Sequence, residues 1–379
     1  MINSRFCLLE LVASCVVFSS AVDAADGDAL VRIGAIQVPN TSRTSPLNSF
    51  DISLVDARHD LYLLSDAAHK TVDVFRASTG ESLFVVPGFF GNAPPGHAHN
   101  GPTSLIIVEG DVWAGDNPSK IRIIDLVSQK IKDTISVPGT ARVDAMAYDP
   151  KDHIVIAANP EEDNGAAPFV SLISTEPEHT ILKKISFPNA TDWLEAVEWS
   201  PSTGLFYLAI PELDHNPGNG GVAVIDPRTR KLVTIFPLNQ CRPNGLAMGP
   251  NDQMVVGCQG EGLGKKYPFP PHTFILNVKD GKIVATIAGT TGSDEVWYNK
   301  GDGFYYLAAE ANPGGPALVA IEAVGKHRVM KASTDRSAHS VAADSNTNRL
   351  FVPLGPISTD PACQNGCVAI YTIVPNRGH

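Results

Sequence analysis

Apolar and polar residues change places along this chain in short runs, bounded again and again by Gly, Pro, Asn and Asp. Runs of that kind read as β-strands and tight turns. No segment holds a helical period, so the pattern predicts an all-β chain. The runs also recur. "FDISLVDARHDLYLLSD" from Phe50 has relatives in "NGPTSLIIVEGDVWAGD" from Asn100, "VDAMAYDPKDHIVIAANP" from Val143 and "LEAVEWSPSTGLFYLAIP" from Leu194. "PNGLAMGPNDQMVVGC" from Pro243, "DEVWYNKGDGFYYLAAE" from Asp294 and "HSVAADSNTNRLFVPLG" from His339 continue the series. Successive units start roughly 40 to 50 residues apart, the spacing of propeller blades.

Each unit carries two further strand-like runs, such as "TVDVFRA" and "SLFVVPG" in the first. The seventh offers only one, "CVAIYTIV", while "ALVRIGAIQV" near the N-terminus has no unit of its own. The expected fold is one seven-bladed β-propeller over residues 25–379, its last blade closed by the N-terminal strand as outermost strand. Closure hides strand edges that would otherwise pair with other chains.

"LYLLSDAAHKTVDVFRASTGE" resembles the repeat of YVTN or YncE-type propellers, which implies the fold and leaves function open. "PNGLA" is similar to the start of an inner strand in SMP-30/gluconolactonase-type propellers. There the Asn is a metal ligand, so the resemblance implies that role for Asn244. "NGPTSL" followed by "VWAGD" is similar to that family's "EGP" plus Trp segment, with Asn100 where the family has Glu.

In a propeller the innermost strands line the central channel, and the loops that enter them share one face. The inner-strand starts are Asp51, Asn100, Asp144, Glu195, Asn244, Glu295 and His339, a polar group from every blade. Arg142 and Arg242 precede two of them, Asp192 and Asp294 sit beside others, and "FFGNAPPGHAHNG" carries His97 and His99 to the same rim. Such carboxylates, amides and imidazoles suit a divalent cation: calcium, or zinc or iron if His ligates. Acids crowded into a dry channel repel one another unless a cation or protons compensate. The competing reading is a polar channel that merely holds water.

Trp113, Trp199 and Trp297 fall within strands and are expected between blades, whereas Trp193 lies at the rim, open to a ligand. "EGLGKKYPFPPH" forms a long excursion whose Lys265, Lys266, Tyr267 and His272 are candidate ligand contacts. No G-x-S-x-G elbow, HExxH or CxxCH motif occurs.

The composition narrows the setting. Of 379 residues, 43% are hydrophobic and 18% charged, a globular balance. The net charge of -11, with no basic run, argues against nucleic acid. Arg5, the apolar stretch that follows and "VDA" before Ala25 read as a signal peptide over residues 1–24, and no later run is long enough for a membrane span. A secreted or periplasmic protein follows. Its four remaining cysteines favour two disulfides, Cys241–Cys258 and Cys363–Cys367, over a zinc site.

Two functions fit this picture. The first is an enzyme acting on a small organic molecule through a metal held by some of Asp144, Glu195, Asn244, Glu295 and His339. His97, His99, His339 or a carboxylate such as Glu195 would move protons, and Arg142, Arg242, Trp193 and Tyr267 would hold the substrate. Lactone hydrolysis or a lyase reaction suits such a site. The second is a propeller that binds a ligand or a protein partner without chemistry; a redox partner is a weaker third.

Overall fold

The computed structural model describes residues 27–93, 100–160, 165–259, 269–327 and 329–375. These form seven antiparallel sheets of four strands, each joined in simple meander order except the last. The inner strands are Ser53–Asp56, Leu105–Val108, Met146–Asp149, Val197–Ser200, Pro243–Met248, Val296–Asn299 and Ala342–Asp344, one for each of blades one to seven. The expected signal peptide, residues 1–24, lies outside the described residues.

Local chemistry sets the repeat. The hairpin after an inner strand turns on an aspartate whose carboxylate accepts the backbone N–H groups just beyond it. Asp56 takes those of Arg58 and His59, Asp149 those of Lys151 and Asp152, and Asp344 that of Asn346. The same device closes the outer hairpins at Asp125 and Asp226. A short acceptor side chain reaching two residues ahead satisfies amides that the ladder leaves unpaired, which is why Asp recurs where the apolar runs stop.

The middle strands are buried on both faces; Ile154–Asn159 has no exposed residue. Their side chains fill the space between neighbouring blades. Phe206 and Leu208 of blade four meet Ile156 and Leu172 of blade three, and Tyr306 of blade six meets Val352 of blade seven. Trp113, 2% exposed, packs between blades two and three, and Trp199 and Trp297 also pack against inter-blade clusters, as their place in strands predicts.

Ala29–Ile36 pairs antiparallel with Cys367–Val374 as the outermost strand of blade seven, so the two ends of the chain close the ring together. The expected closure is present. Both expected disulfides form, Cys241 to Cys258 and Cys363 to Cys367, a pairing suited to an oxidising compartment. Among the described residues no helix is long and apolar enough to cross a membrane.

Closure rests on few side chains. Leu30 and Ile36 are each 6% exposed, while much of the strand between them faces solvent. Truncating Ile36 to Ala is expected to cost about 2–4 kcal/mol, the range for a buried aliphatic, and to promote association through the loosened strand edge. Urea unfolding and light scattering on the variant check both effects.

Candidate functional site at the channel mouth

Where the loops enter the inner strands, the channel widens into a cavity of about 430 Å³. Six carboxylates line it: Asp51, Asp144, Glu195, Asp294, Glu295 and Glu310. Facing them are two cationic side chains, Arg142 and His339.

The backbone explains the convergence. Just before each inner strand, one residue donates its N–H to the end of the second strand: Asp51 to Ser65, Asp144 to Ala158, Glu195 to Ala209 and Asp294 to Ala308. Equivalent positions on a radial repeat must meet near the axis. This register corrects the ring read from the sequence at three places, one of them His339 in blade seven, whose N–H goes to the carbonyl of Ser337 while Ser340 stands two residues before the inner strand. Thr103, paired with Gly115, occupies it in blade two rather than Asn100, and Asp294 occupies it in blade six rather than Glu295. Asn100 still lines the cavity from the entering loop, where it accepts from Ala93 N–H and donates to Ser49. Glu295 lines it too, with its backbone N–H on the carbonyl of His339 in blade seven.

Burial, with mutual repulsion, raises five of these acids above the usual carboxylate range: Asp51, Glu195, Asp294, Glu295 and Glu310. Burial raises Asp51 to about 7, helped by Asp144 and opposed by Arg142. Burial also raises Glu310 to about 7, with Asp294 adding to it. Glu195 and Glu295 are pushed well up, first by burial and then by Asp294; Asp294 itself rises for the same primary reason. Deeper on the inner strand of blade four, burial takes Glu198 to about 8, and its charge adds to the pressure on Glu295.

His339 is fixed as the counter-charge. Its Nδ1 lies 2.9 Å from the carbonyl of Ser337 and its Nε2 3.2 Å from that of Phe50, on whose ring it stacks at 4.8 Å. Carbonyls only accept, so both contacts require N–H and the imidazolium satisfies both. Burial opposes that charge, but Asp294, Asp51 and Glu310 outweigh it and raise the pKa. In this arrangement neither ring nitrogen has a lone pair directed at the cavity. Arg142 reaches Asp144 at 2.9 Å and Asp51 at 3.8 Å, so it neutralises two acids of the ring.

Asn244 is 1% exposed; its amide donates to Asp294 at 2.7 Å, while its Oδ1 has no hydrogen-bond partner among the described residues. Among those residues no three His, Cys, Asp or Glu side chains stand close enough to enclose a metal ion. An ion held here would draw on amide or water oxygens as well. Asn244 Oδ1 beside the Asp294 carboxylate fits that donor set.

Arg242, expected at the substrate, is instead wholly buried. It pairs with Asp192 and with Glu212 at 2.9 Å, and its guanidinium lies 5.6 Å from the ring of Trp193. It does not line the cavity; it braces Trp193, which does. His272 is also buried, with Nδ1 on the carbonyl of Pro270. His97, His99, Lys265, Lys266 and Tyr267 lie outside the described residues.

No protein-family model matches the chain. No curated protein matches it either. Among solved structures it is similar to the Neurospora crassa Pan2 WD40 domain, with a TM-score of 0.64 and 12% identity over 93% of this chain and 98% of that one. At that identity the likeness is one of fold. The propeller implied by the YVTN and SMP-30 resemblances is present, and membership in either family rests on the quoted motifs alone.

Gln259 and Glu310 join the cavity without having been singled out in the sequence. The signal was there: each follows directly on a second strand, at the end of "VVGCQ" and "YLAAE", on the face that the entering loops share.

Two measurements follow from this geometry. Arg242→Ala would strand two carboxylates around a buried hole and is expected to cost about 3–5 kcal/mol, read by thermal or urea unfolding. The acids set a pH dependence as well. A carboxyl raised from about 4 when unfolded to about 7 when folded binds more protons in the folded state between those values, so stability falls as pH rises through that window. The raised His339 acts in the same direction. Glu295→Gln should therefore raise the melting temperature at pH 8 and do little at pH 5.

Proposed function

We propose that the channel mouth binds a hard divalent cation together with a small organic ligand, and that the protein is an enzyme acting on that ligand in an oxidising, extracytoplasmic compartment. The observation that carries this reading is the excess of acid: six carboxylates against one guanidinium and one imidazole in a single cavity. A bound cation relieves that repulsion more completely than protons can at neutral pH. Calcium suits the donors best, because they are oxygens of carboxylate and amide, and both nitrogens of His339 are engaged elsewhere.

Asp294, Asn244 Oδ1 and a neighbouring acid such as Glu195 would hold the ion. When bound, it supplies a Lewis acid for a carbonyl or lactone oxygen. The chain's own residues supply the rest. Asp51 and Glu310, both with pKa about 7, are suited to exchange protons near neutrality. The imidazolium of His339 places a fixed positive charge across from them and keeps at least one acid of the ring ionised. Trp193, steadied by Arg242, offers a flat wall for the apolar part of a ligand. Hydrolysis of a lactone or a proton-transfer lyase reaction matches these roles.

The test is a thermal melt of the chelator-treated protein at pH 8, with and without calcium. An ion at about 100 times its Kd should stabilise the fold by about 2.7 kcal/mol. Asp294→Asn and Asn244→Leu should remove the calcium response while still folding, and elemental analysis should find the ion in the untreated wild type alone. No response to calcium, zinc or iron in the wild type would overturn the metal reading and leave a ligand-binding propeller.

A further inference from the structure

The opposite end of the channel carries the reverse chemistry. Where the inner strands finish, a second cavity of about 520 Å³ opens between blades six, seven, one and two. Trp297 from the inner strand of blade six forms its aromatic wall, on the face turned towards blade seven; the neighbouring Tyr298 turns the other way, its ring on Tyr305. Arg58 and Lys300, both exposed, flank that wall from the turns after the inner strands of blades one and six.

The hollow is rich in donors and poor in acceptors. Among the described residues, neither the Arg58 guanidinium nor the Lys300 ammonium has an ion-pair partner, and neither Trp297 Nε1–H nor the Tyr298 hydroxyl has a hydrogen bond. The one carboxylate in the lining, Asp56, is already engaged. Its Oδ1 accepts from the N–H groups of Arg58 and His59, and its Oδ2 lies 2.5 Å from His59 Nδ1. The amide of Asn299 is likewise occupied, donating to Asn348 at 3.0 Å and accepting from Gly301 N–H. Two unpaired cations beside an aromatic wall stand out on a chain of net charge -11.

We propose that this far-face cavity is a second binding site, for a small aromatic anion bearing a carboxylate or a phosphate. The volume lies in the range of small-molecule sites. The ring of the ligand would lie against Trp297, and its anionic group would take charge-assisted hydrogen bonds from Arg58 and Lys300. The site is independent of the acidic mouth and of any reaction there.

Calorimetric titration of the full mature chain with 2-naphthoate, with phenyl phosphate and with neutral 2-naphthalenemethanol tests this. At least one anion is expected to bind saturably, about tenfold or more tighter than the alcohol, as one good ion pair provides. The two anions also separate carboxylate from phosphate recognition. R58Q/K300Q should weaken the preferred anion by about tenfold without lowering the melting temperature, because both side chains are exposed. Trp297→Phe should weaken it further, and Asp294→Asn at the mouth should leave it unchanged. Absence of saturable binding by both anions, equal affinity for the alcohol, or an unaffected R58Q/K300Q variant would overturn the proposal. A Glu-Trp-Glu peptide that bound far tighter than both anions would also overturn it, in favour of a protein partner.

Discussion

Six carboxylates around one cavity of about 430 Å³ set the terms for everything at this end of the channel. At an effective dielectric of 20, two ionised acids about 5 Å apart repel by about 3 kcal/mol, and several such pairs would exceed the stability of an ordinary domain. The fold tolerates the ring because burial raises the pKa of most of its members, because Arg142 spans Asp51 and Asp144, and because two carbonyls hold both ring nitrogens of His339. An arrangement that keeps acids near neutral pKa is costly for folding alone, a cost that the proposed cation would remove.

The radial repeat creates that problem and cannot avoid it. Each blade begins its inner strand at the same height, so any polar residue placed there faces its counterparts from the other blades. A wedge of apolar side chains between blades holds the angle, and the paired termini hold the circle. The mouth is therefore preorganised by packing some distance from it, and its side chains need no rearrangement to converge.

Much of this was legible in the sequence, and the exceptions have physical causes. The spacing of apolar runs and Asp-led turns specifies seven blades, and the unmatched strand at Ala29–Ile36 specifies closure. Asp51, Asp144, Glu195 and Asn244 fall where the repeat places them. Blade six misleads because Asp294 and Glu295 are adjacent acids, and only the hydrogen bond to Ala308 shows which keeps the register. Arg142 and Arg242 look alike in sequence, each two residues before a polar inner-strand position. Their fates diverge because Asp192 and Glu212, brought up by loops of the neighbouring blade, claim Arg242. Partners contributed by another blade leave no local trace.

Opposite charge at the two ends of one channel raises the question of whether the ends communicate. From Asp294 to Lys300 is six residues, roughly 20 Å at the rise of a strand. A unit charge at each end then interacts by only about 0.8 kcal/mol at an effective dielectric of 20. Salt reduces this further, since the Debye length is about 8 Å at physiological ionic strength. A change of state at the mouth therefore alters binding at the far face by less than a factor of about four through charge alone. Stronger coupling would need a moving element, yet the strands between the two ends are held by buried contacts on both sides. On the two proposals above, the channel carries two separate sites on one ring, an acidic one for a positive partner and a basic one beside Trp297 for a negative partner.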